Sequence, residues 1–155
     1  MTSPTGEAGE ALAGHGRGLM RAGALLFLLG LFVGFGVPRF AVPRLALSTH
    51  LLAMMQATLL LALGLVWPRL AIGRRQSQVG LGLALYGFGG AWVANLLGAL
   101  WGAGSSMLPM AAGAARGTAA QEAAIRVLLV SAALCQVALG LLVLWGLRGP
   151  ARAKP

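Results

Sequence analysis

The stretch LALSTHLLAMMQATLLLALGLVWP, residues 45–68, decides the fold class of this chain. It contains 24 residues and no formal charge. At a rise of about 1.5 Å per residue, a helix of this length crosses the hydrocarbon layer of a bilayer, which is about 30 Å thick. We therefore interpret it as a transmembrane helix. Its polar members include His50 and Gln56, and polar side chains within a span are costly unless they face a partner, a cavity or a cofactor.

The composition supports a membrane protein throughout the chain. Hydrophobic residues make up 58% of the 155 residues and charged residues only 10%, which leaves too little polar surface for a soluble domain. The net charge is +9, but the basic residues lie at the edges of the apolar runs, so we expect no nucleic-acid partner. The single cysteine, Cys135, excludes an intrachain disulfide. With three acidic residues and no His/Cys/Asp/Glu cluster, the sequence also excludes a carboxylate acid/base pair and a protein-ligated zinc site.

Three further apolar runs predict three more spans. The expected fold is all-α, an integral membrane four-helix bundle within residues 19–149, with spans at about 21–38, 45–67, 79–102 and 127–147. Residues 1–18 are rich in glycine and alanine and lack apolar periodicity, so we predict a disordered N-terminal tail. We predict a loop or re-entrant segment between the last two spans, at 103–126, and a basic C-terminal tail at 150–155.

The distribution of basic residues predicts the orientation. Four spans place both tails and the connection between the second and third spans on one side of the membrane. That side carries eight Lys and Arg residues and the other side four. Because cytoplasmic segments carry the excess of basic residues, we expect both termini in the cytoplasm.

The polar residues of the spans have a structural and a functional interpretation. His50 and Asn95 are expected at a similar depth, about 8 to 10 Å below the outer surface, and can face each other if rotation allows. Gln56 lies nearer the midplane. Intramembrane amides often serve as hydrogen-bonding links between helices, and small residues such as Gly30 and Gly34 let helices approach closely.

His50 is the only histidine in a predicted span, and it has three possible roles: packing, proton relay or metal ligation. A relay needs acidic partners, and no predicted span contains one. A lone histidine can hold a metal that brings its own ligands, as haem iron does through its porphyrin. Arg44, with Arg39 and Arg126, supplies cations for haem propionates at the outer edge. Packing and ligation both remain open from the residues alone.

Four stretches resemble the hydroxylaminobenzene mutases, small integral membrane isomerases of nitroaromatic-degrading bacteria. They are RAGALLFLLGLFVGF (21–35), VPRLALSTHLLAMMQATLLLALGLVWPRL (42–70), AWVANLLGALWGAGSSMLPMAAGAARGTAAQE (91–122) and LVLWGLRG (142–149). The resemblance implies an enzyme that converts aryl hydroxylamines to 2-aminophenols by intramolecular hydroxyl transfer. It also implies a small aromatic substrate and a location in the bacterial inner membrane.

This family is distantly similar to the styrene oxide isomerases, which hold haem b at the interfaces of a trimer through a histidine on the second span. The similarity implies a homotrimer in which His50 is the metal ligand, Arg44 helps to bind haem b, and Gln56 and Asn95 are catalytic residues lining the pocket. The element Trp92-Val93-Ala94-Asn95 echoes a Trp-Ala-Asn pattern of those isomerases. The tyrosine that follows it there is missing, and Ala99 stands near its place, so an epoxide isomerase is less expected than a mutase.

A different class of function competes with these enzymes. The chain could be a non-catalytic small membrane protein, an exporter or an assembly partner, in which His50, Gln56 and Asn95 only link helices. Detergent-purified protein with a Soret band that is lost in His50→Ala favours the enzyme, and a colourless protein favours the scaffold.

Overall fold

The structure is a computed structural model that describes residues 4–148, with side chains from residue 9 onward. The helices of this part of the chain are α1 (Pro4–Gly36), α2 (Pro43–Val66), α3 (Arg74–Trp101), the short α4 (Pro109–Ala112) and α5 (Ala119–Gly146). Single 3-10 turns, Val37–Arg39 and Trp67–Arg69, follow α1 and α2. The four long helices have the length and composition to cross a bilayer, and no strand occurs between residues 4 and 148. The predicted all-α membrane bundle with four spans is therefore confirmed.

The helices pack as an antiparallel bundle. α1 and α2 form a tight hairpin, α3 packs against both of them, and α5 packs along α3. Backbone hydrogen bonds join the ends: the Val42 amide donates to the Ala99 carbonyl (3.3 Å), and the Ala71 amide donates to the Gly146 carbonyl (2.9 Å). Following the predicted orientation, we call the end that contains Val42 and Ala99 the outer end of the bundle, and the end that contains Ala71 and Gly146 the inner end.

The disordered tail predicted for residues 1–18 is wrong for the part that the structure describes. α1 begins at Pro4. Leu12 and Leu19 are fully buried in the same core as the rest of the helix. Between them, Gly16 lies so close to α2 that a Cβ there would be 2.6 Å from the Gly64 carbonyl oxygen.

Hydropathy misses this extension because close backbone approach, rather than apolar side chains, holds most of it in place. Leu12 is the one large apolar side chain that residues 9–18 contribute to the core. Residues 1–3 of the predicted tail and the predicted basic tail 150–155 lie outside the described residues.

Two helices begin earlier than predicted because polar residues cap them. At α5, Thr118 Oγ1 accepts from the Gln121 amide (3.3 Å) and Gln121 Oε1 accepts from the Thr118 amide (2.8 Å), a capping box that starts the helix at Ala119 rather than near residue 127. At α3, Gln76 Oε1 accepts from the Gly73 amide (2.8 Å), and the helix starts at Arg74 rather than near residue 79.

Candidate functional site

His50 lies on α2 where this helix contacts α1. Its Nδ1 is 2.8 Å from the carbonyl oxygen of Gly30. Because a carbonyl can only accept, Nδ1 carries the proton and donates this bond. Among the described residues Nε2 makes no hydrogen bond, and it is not enclosed by the bundle. His50 therefore presents an unengaged ring nitrogen.

The open side of His50 faces the surface of the bundle rather than its interior. Leu47 and Leu51, its neighbours on α2, are 48% and 52% exposed. On the other side the ring lies against Gly34 of α1. His50 thus stands at the edge where the α1–α2 contact meets the lipid-facing surface.

Arg44 is six residues from His50, about 240° round α2, and lines an open groove on a different side of this helix. The groove has a volume of about 420 Å³, and its lining also includes Ser48, Leu51, Met55 and Met110. The guanidinium is exposed at the outer end of a mostly apolar surface. The groove combines apolar walls with one cation at its outer edge.

Gln56 of α2 and Asn95 of α3 lie elsewhere, buried inside the bundle. Each is only 4% exposed. Gln56 is six residues from His50, about 240° further round the helix, so it leaves α2 on a different side. Asn95 Nδ2 donates to the Ala91 carbonyl of its own helix (3.0 Å).

The structure does not bring the four predicted residues into one site within the protomer. His50 lies beside α1, Arg44 lines the groove, whose lining does not include His50, and Gln56 and Asn95 are buried. Within the described residues, no hydrogen bond joins any two of these four side chains. The expectation that His50 and Asn95 can face each other does not hold, because the bond to Gly30 fixes His50 against α1.

Trp92 is a further candidate functional residue. From the sequence it is notable only as part of the Trp-Ala-Asn pattern. Its Nε1 and Gln56 Oε1 are the two buried side-chain N/O atoms without a hydrogen-bond partner in the part of the chain that the structure describes. Side chains lean towards the N-terminus of their own helix, so Gln56 and Trp92 lean towards each other from antiparallel helices. A buried acceptor on α2 and a buried donor on α3 are therefore each left without a partner among the described residues. The sequence signal was available, since an indole N–H within a span needs a partner.

A second polar set closes the inner end of the bundle. Trp67 Nε1 donates to Ser77 Oγ (2.8 Å), and the same oxygen lies 2.7 Å from His15 Nδ1. Trp67 and Ser77 are fully buried. The set links the N-terminal part of α1 to the α2–α3 connection.

Glu122 organises the predicted loop between the last two spans. Its carboxylate accepts six hydrogen bonds of 2.9 to 3.3 Å. The donors are the Gly104 amide, the amide and hydroxyl of Ser105 and of Ser106, and the Gly117 amide. Gly102, with φ 65°, ends α3 and turns the chain into this segment. The segment is thus an ordered clasp, residues 103–118, at the outer end of the bundle.

The surroundings of His50 are of the kind that fits a metal group bringing its own ligands, as haem does. No set of three or more His, Cys, Asp or Glu side chains is assembled among the described residues, so a metal would need to bring its own ligands. A ligating histidine normally donates its second ring nitrogen to a carbonyl or carboxylate, which fixes the tautomer. The bond from His50 Nδ1 to Gly30 has this form.

The fold and the site define a small four-span membrane protein with an unengaged histidine nitrogen on α2 and two buried amides. A family model described as styrene oxide isomerase matches residues 15–148. Two curated relatives from Ectopseudomonas oleovorans are similar to the chain. Hydroxylaminobenzene mutase HabB is 47% identical over 137 residues, 88% of this chain and 84% of the relative. Hydroxylaminobenzene mutase HabA is 36% identical over 129 residues, 83% of this chain and 96% of the relative.

The chain therefore belongs to the styrene oxide isomerase family and, within it, groups with the hydroxylaminobenzene mutases. The resemblance predicted from the four quoted stretches is confirmed. No solved structure matches the chain.

Proposed function

We propose that the protein isomerises aryl hydroxylamines of the hydroxylaminobenzene type to 2-aminophenols. The observation that carries this proposal is the 47% identity to HabB, which extends over 88% of this chain. Four apolar spans support a substrate that partitions into the bilayer and reaches the protein from there.

The reaction is a rearrangement without net oxidation or reduction. The N–O bond breaks and a C–O bond forms at the ortho carbon of the ring. The hydrogen of that carbon leaves as a proton and the nitrogen gains one, so substrate and product have the same composition. The protein must promote N–O cleavage and keep bulk water away from the ring, which a site between apolar helices achieves.

His50 is proposed to ligate haem b through Nε2, with Arg44 binding a propionate at the outer edge of the groove. The hydrogen bond from Nδ1 to Gly30 supports this role, because it leaves the Nε2 lone pair available. A ferric haem, when bound, supplies a Lewis acid for the hydroxylamine oxygen. His50 would hold this group, and Arg44 would pair with its propionate.

Gln56 and Asn95 are proposed to bind the hydroxylamine group of the substrate. The unpartnered Gln56 Oε1 supports this, because a buried acceptor lowers stability until a donor reaches it. Trp92 Nε1 supplies the complementary donor. Since these atoms are buried, substrate binding there requires the helices around them to part.

A second candidate reaction is epoxide isomerisation, which the description of the matching family model favours. It is likewise a rearrangement without net redox change. Ala99 argues against it, because it stands near the place of the tyrosine expected in the epoxide isomerases and is fully buried. Styrene oxide assayed beside hydroxylaminobenzene separates the two reactions.

The protein is proposed to act as a homotrimer in the bacterial inner membrane, with both termini in the cytoplasm. The outward-facing Nε2 of His50 supports a site completed by another subunit. The bias of basic residues supports the orientation. A periplasm-active reporter fused after Pro155 is expected to be silent, and high activity there would contradict the orientation.

The test of the function uses detergent-purified protein and hydroxylaminobenzene, with 2-aminophenol measured by chromatography. The wild type is expected to form 2-aminophenol and to show a Soret band. His50→Ala and His50→Gln are both expected to lose the band and the activity, because an amide is a poor ligand for iron. Full turnover by a colourless His50→Ala protein would end the haem assignment, and an inactive wild type with a Soret band would end the mutase assignment.

A further inference from the structure

We infer that Gly30 and Gly34 of α1 are positioning residues for His50, which together hold its imidazole in the tautomer with the proton on Nδ1. The use of the free Nε2 as a ligand rests on the proposed function. The tautomer itself does not, and it can be measured in protein without haem.

The carbonyl of Gly30 selects the tautomer. It lies 2.8 Å from Nδ1, within normal hydrogen-bond distance, and it has no proton to donate. The ring nitrogen that a histidine uses for metal binding is decided by the bond that its other nitrogen makes. The backbone of α1 thus makes Nε2 the available nitrogen.

Gly34 provides the space that this bond needs. A Cβ at position 34 would lie 2.7 Å from His50 Nδ1, 3.0 Å from Cε1 and 3.3 Å from Cγ. These atoms belong to a rigid ring that cannot bend away, so the whole imidazole would have to turn. Any side chain at this position therefore breaks the bond to Gly30.

Gly30 brings the two helices close enough for the bond to form. A Cβ there would lie 2.6 Å from the Ala53 Cβ and 2.5 Å from the Met54 Cε. The methionine can move, but the alanine is fixed to the α2 backbone. The Gly30/Gly34 pair, which the sequence indicates as a helix-packing motif, thus also positions the imidazole of His50.

Gly23 offers a matched control on the same helix. A Cβ there would lie 2.9 Å from the Ala57 carbonyl oxygen and 3.1 Å from the Leu60 Cβ, so Gly23→Ala crowds the α1–α2 contact to a similar degree. It lies about two turns of helix before Gly30, on the same face of α1 but further along the axis from His50. Gly23→Ala therefore crowds the α1–α2 contact without touching the imidazole, and controls for a general loss of packing between these helices.

The experiment is ¹⁵N NMR of histidine-labelled protein in detergent, without haem and in alkaline buffer. The chain has two histidines, and the signals lost in His50→Gln identify those of His50. In the wild type and in Gly23→Ala, Nδ1 is expected to be protonated and Nε2 unprotonated. In Gly34→Ala, the proton is expected to redistribute to Nε2. Protonation of Nε2 in the wild type would overturn the inference, and this measurement stands even where Gly34→Ala fails to fold.

Haem titration followed by the Soret band supplies the second readout. Gly34→Ala is expected to bind haem about 10 to 100-fold more weakly than Gly23→Ala, the range for losing the partner of a ligating histidine. Equal affinities of the two variants would contradict the positioning role. A wild type that binds no haem but shows the Nδ1–H tautomer would overturn the proposed cofactor and leave the tautomer assignment standing.

Discussion

Gln56 and Trp92 each keep a buried polar atom without a hydrogen bond among the described residues. Such an atom lowers stability by about 1–3 kcal/mol relative to a satisfied one. Sequences retain local conflicts of this kind mainly at functional sites, where a ligand completes the bonding. Substitutions of these two residues therefore distinguish a binding role from a packing role better than a substitution of Asn95 does. The amide of Asn95 is already bonded within its own helix.

Replacing Gln56 with methionine tests whether its buried, unpaired oxygen lowers stability and serves the reaction. Methionine has a similar length and no strong polar atoms, so Gln56→Met is expected to raise the free energy of unfolding by about 1 kcal/mol. Turnover is expected to fall by roughly 10 to 1000-fold, because an oriented hydrogen-bonding group is lost. Thermal unfolding and 2-aminophenol formation measure the two effects.

Gln136 is the matched control for this substitution. Its Nε2 donates to the Gly87 carbonyl (2.8 Å), so its amide is already satisfied by the protein. Gln136→Met is expected to lower stability and to leave turnover unchanged. If Gln56→Met behaved in the same way, Gln56 would be a structural amide.

Ser77 is the residue on which the inner end depends. Ser77→Ala leaves the fully buried Trp67 N–H without its acceptor, so we expect a loss of about 1–3 kcal/mol in unfolding free energy. Trp67→Phe removes the donor instead. The double variant should then lose less than the sum of the single losses, a coupling that thermal unfolding of the three variants measures. Strict additivity would contradict the bond.

His15 shows where residue-level prediction from sequence fails. A histidine between glycines in an apparently disordered tail predicts a mobile side chain whose removal changes nothing. In the structure it lies 2.7 Å from Ser77 Oγ, 62 residues away. No local pattern encodes that pairing, because it depends on the glycine contact that brings α1 beside α2. The importance of His50, in contrast, could be predicted, since polarity inside an apolar run is visible in the sequence.

At the level of the elements, the clasp at residues 103–118 depends on one carboxylate. Six donors converge on Glu122, and most of them are backbone amides that have no helical partner. Ionised acceptors make stronger hydrogen bonds than neutral ones. The segment is consequently held as a unit against the outer end of the bundle, where Leu108 and Ala112 pack near Leu45.

Glu122→Gln is expected to release this clasp. One oxygen of the glutamine can still accept, but its NH₂ group would face donors instead of pairing with them. Amide hydrogen exchange in residues 103–118 is expected to accelerate by at least about tenfold, while exchange in the long helices stays near that of the wild type. Glu10→Gln, a change of the same kind at an exposed position of α1, is the control. Unchanged exchange in the clasp would show that Glu122 does not hold it.

Helix number and order could be predicted because each span is a long apolar run with prolines or basic residues at its ends. The helix starts could not, because Thr118 with Gln121 and Gln76 with Gly73 set them through capping bonds outside the apolar pattern. Glu122 lies within the segment 103–126, which the sequence predicts as a loop or re-entrant segment. Its carboxylate accepts from donors up to 18 residues away in sequence, a pairing that no local pattern predicts.

For the whole molecule, the decisive feature is that α2 carries candidate functional residues on its outward surface and also on its buried side. The groove beside Arg44 faces outward, where one protomer leaves it open to lipid, and Nε2 of His50 is unengaged at the edge of the α1–α2 contact. The side chain of Gln56 is buried on a different side of α2. Intramembrane polar groups normally face protein or a water-filled cavity, so the outward side of α2 needs a cover. A second copy of the chain provides it in the proposed trimer.

Native mass spectrometry in mild detergent tests this arrangement, with an expected mass of three chains of 15.8 kDa each. Met55 lines the groove and is 66% exposed, so Met55→Trp is expected to shift the population towards monomer by adding bulk to the contact. If the haem site lies between subunits, the Soret band and the trimer should disappear together as detergent or dilution dissociates the complex. A monomeric wild type, or a monomer that keeps its full Soret band, would place the complete site within a single chain and remove the reason for a covered α2 face.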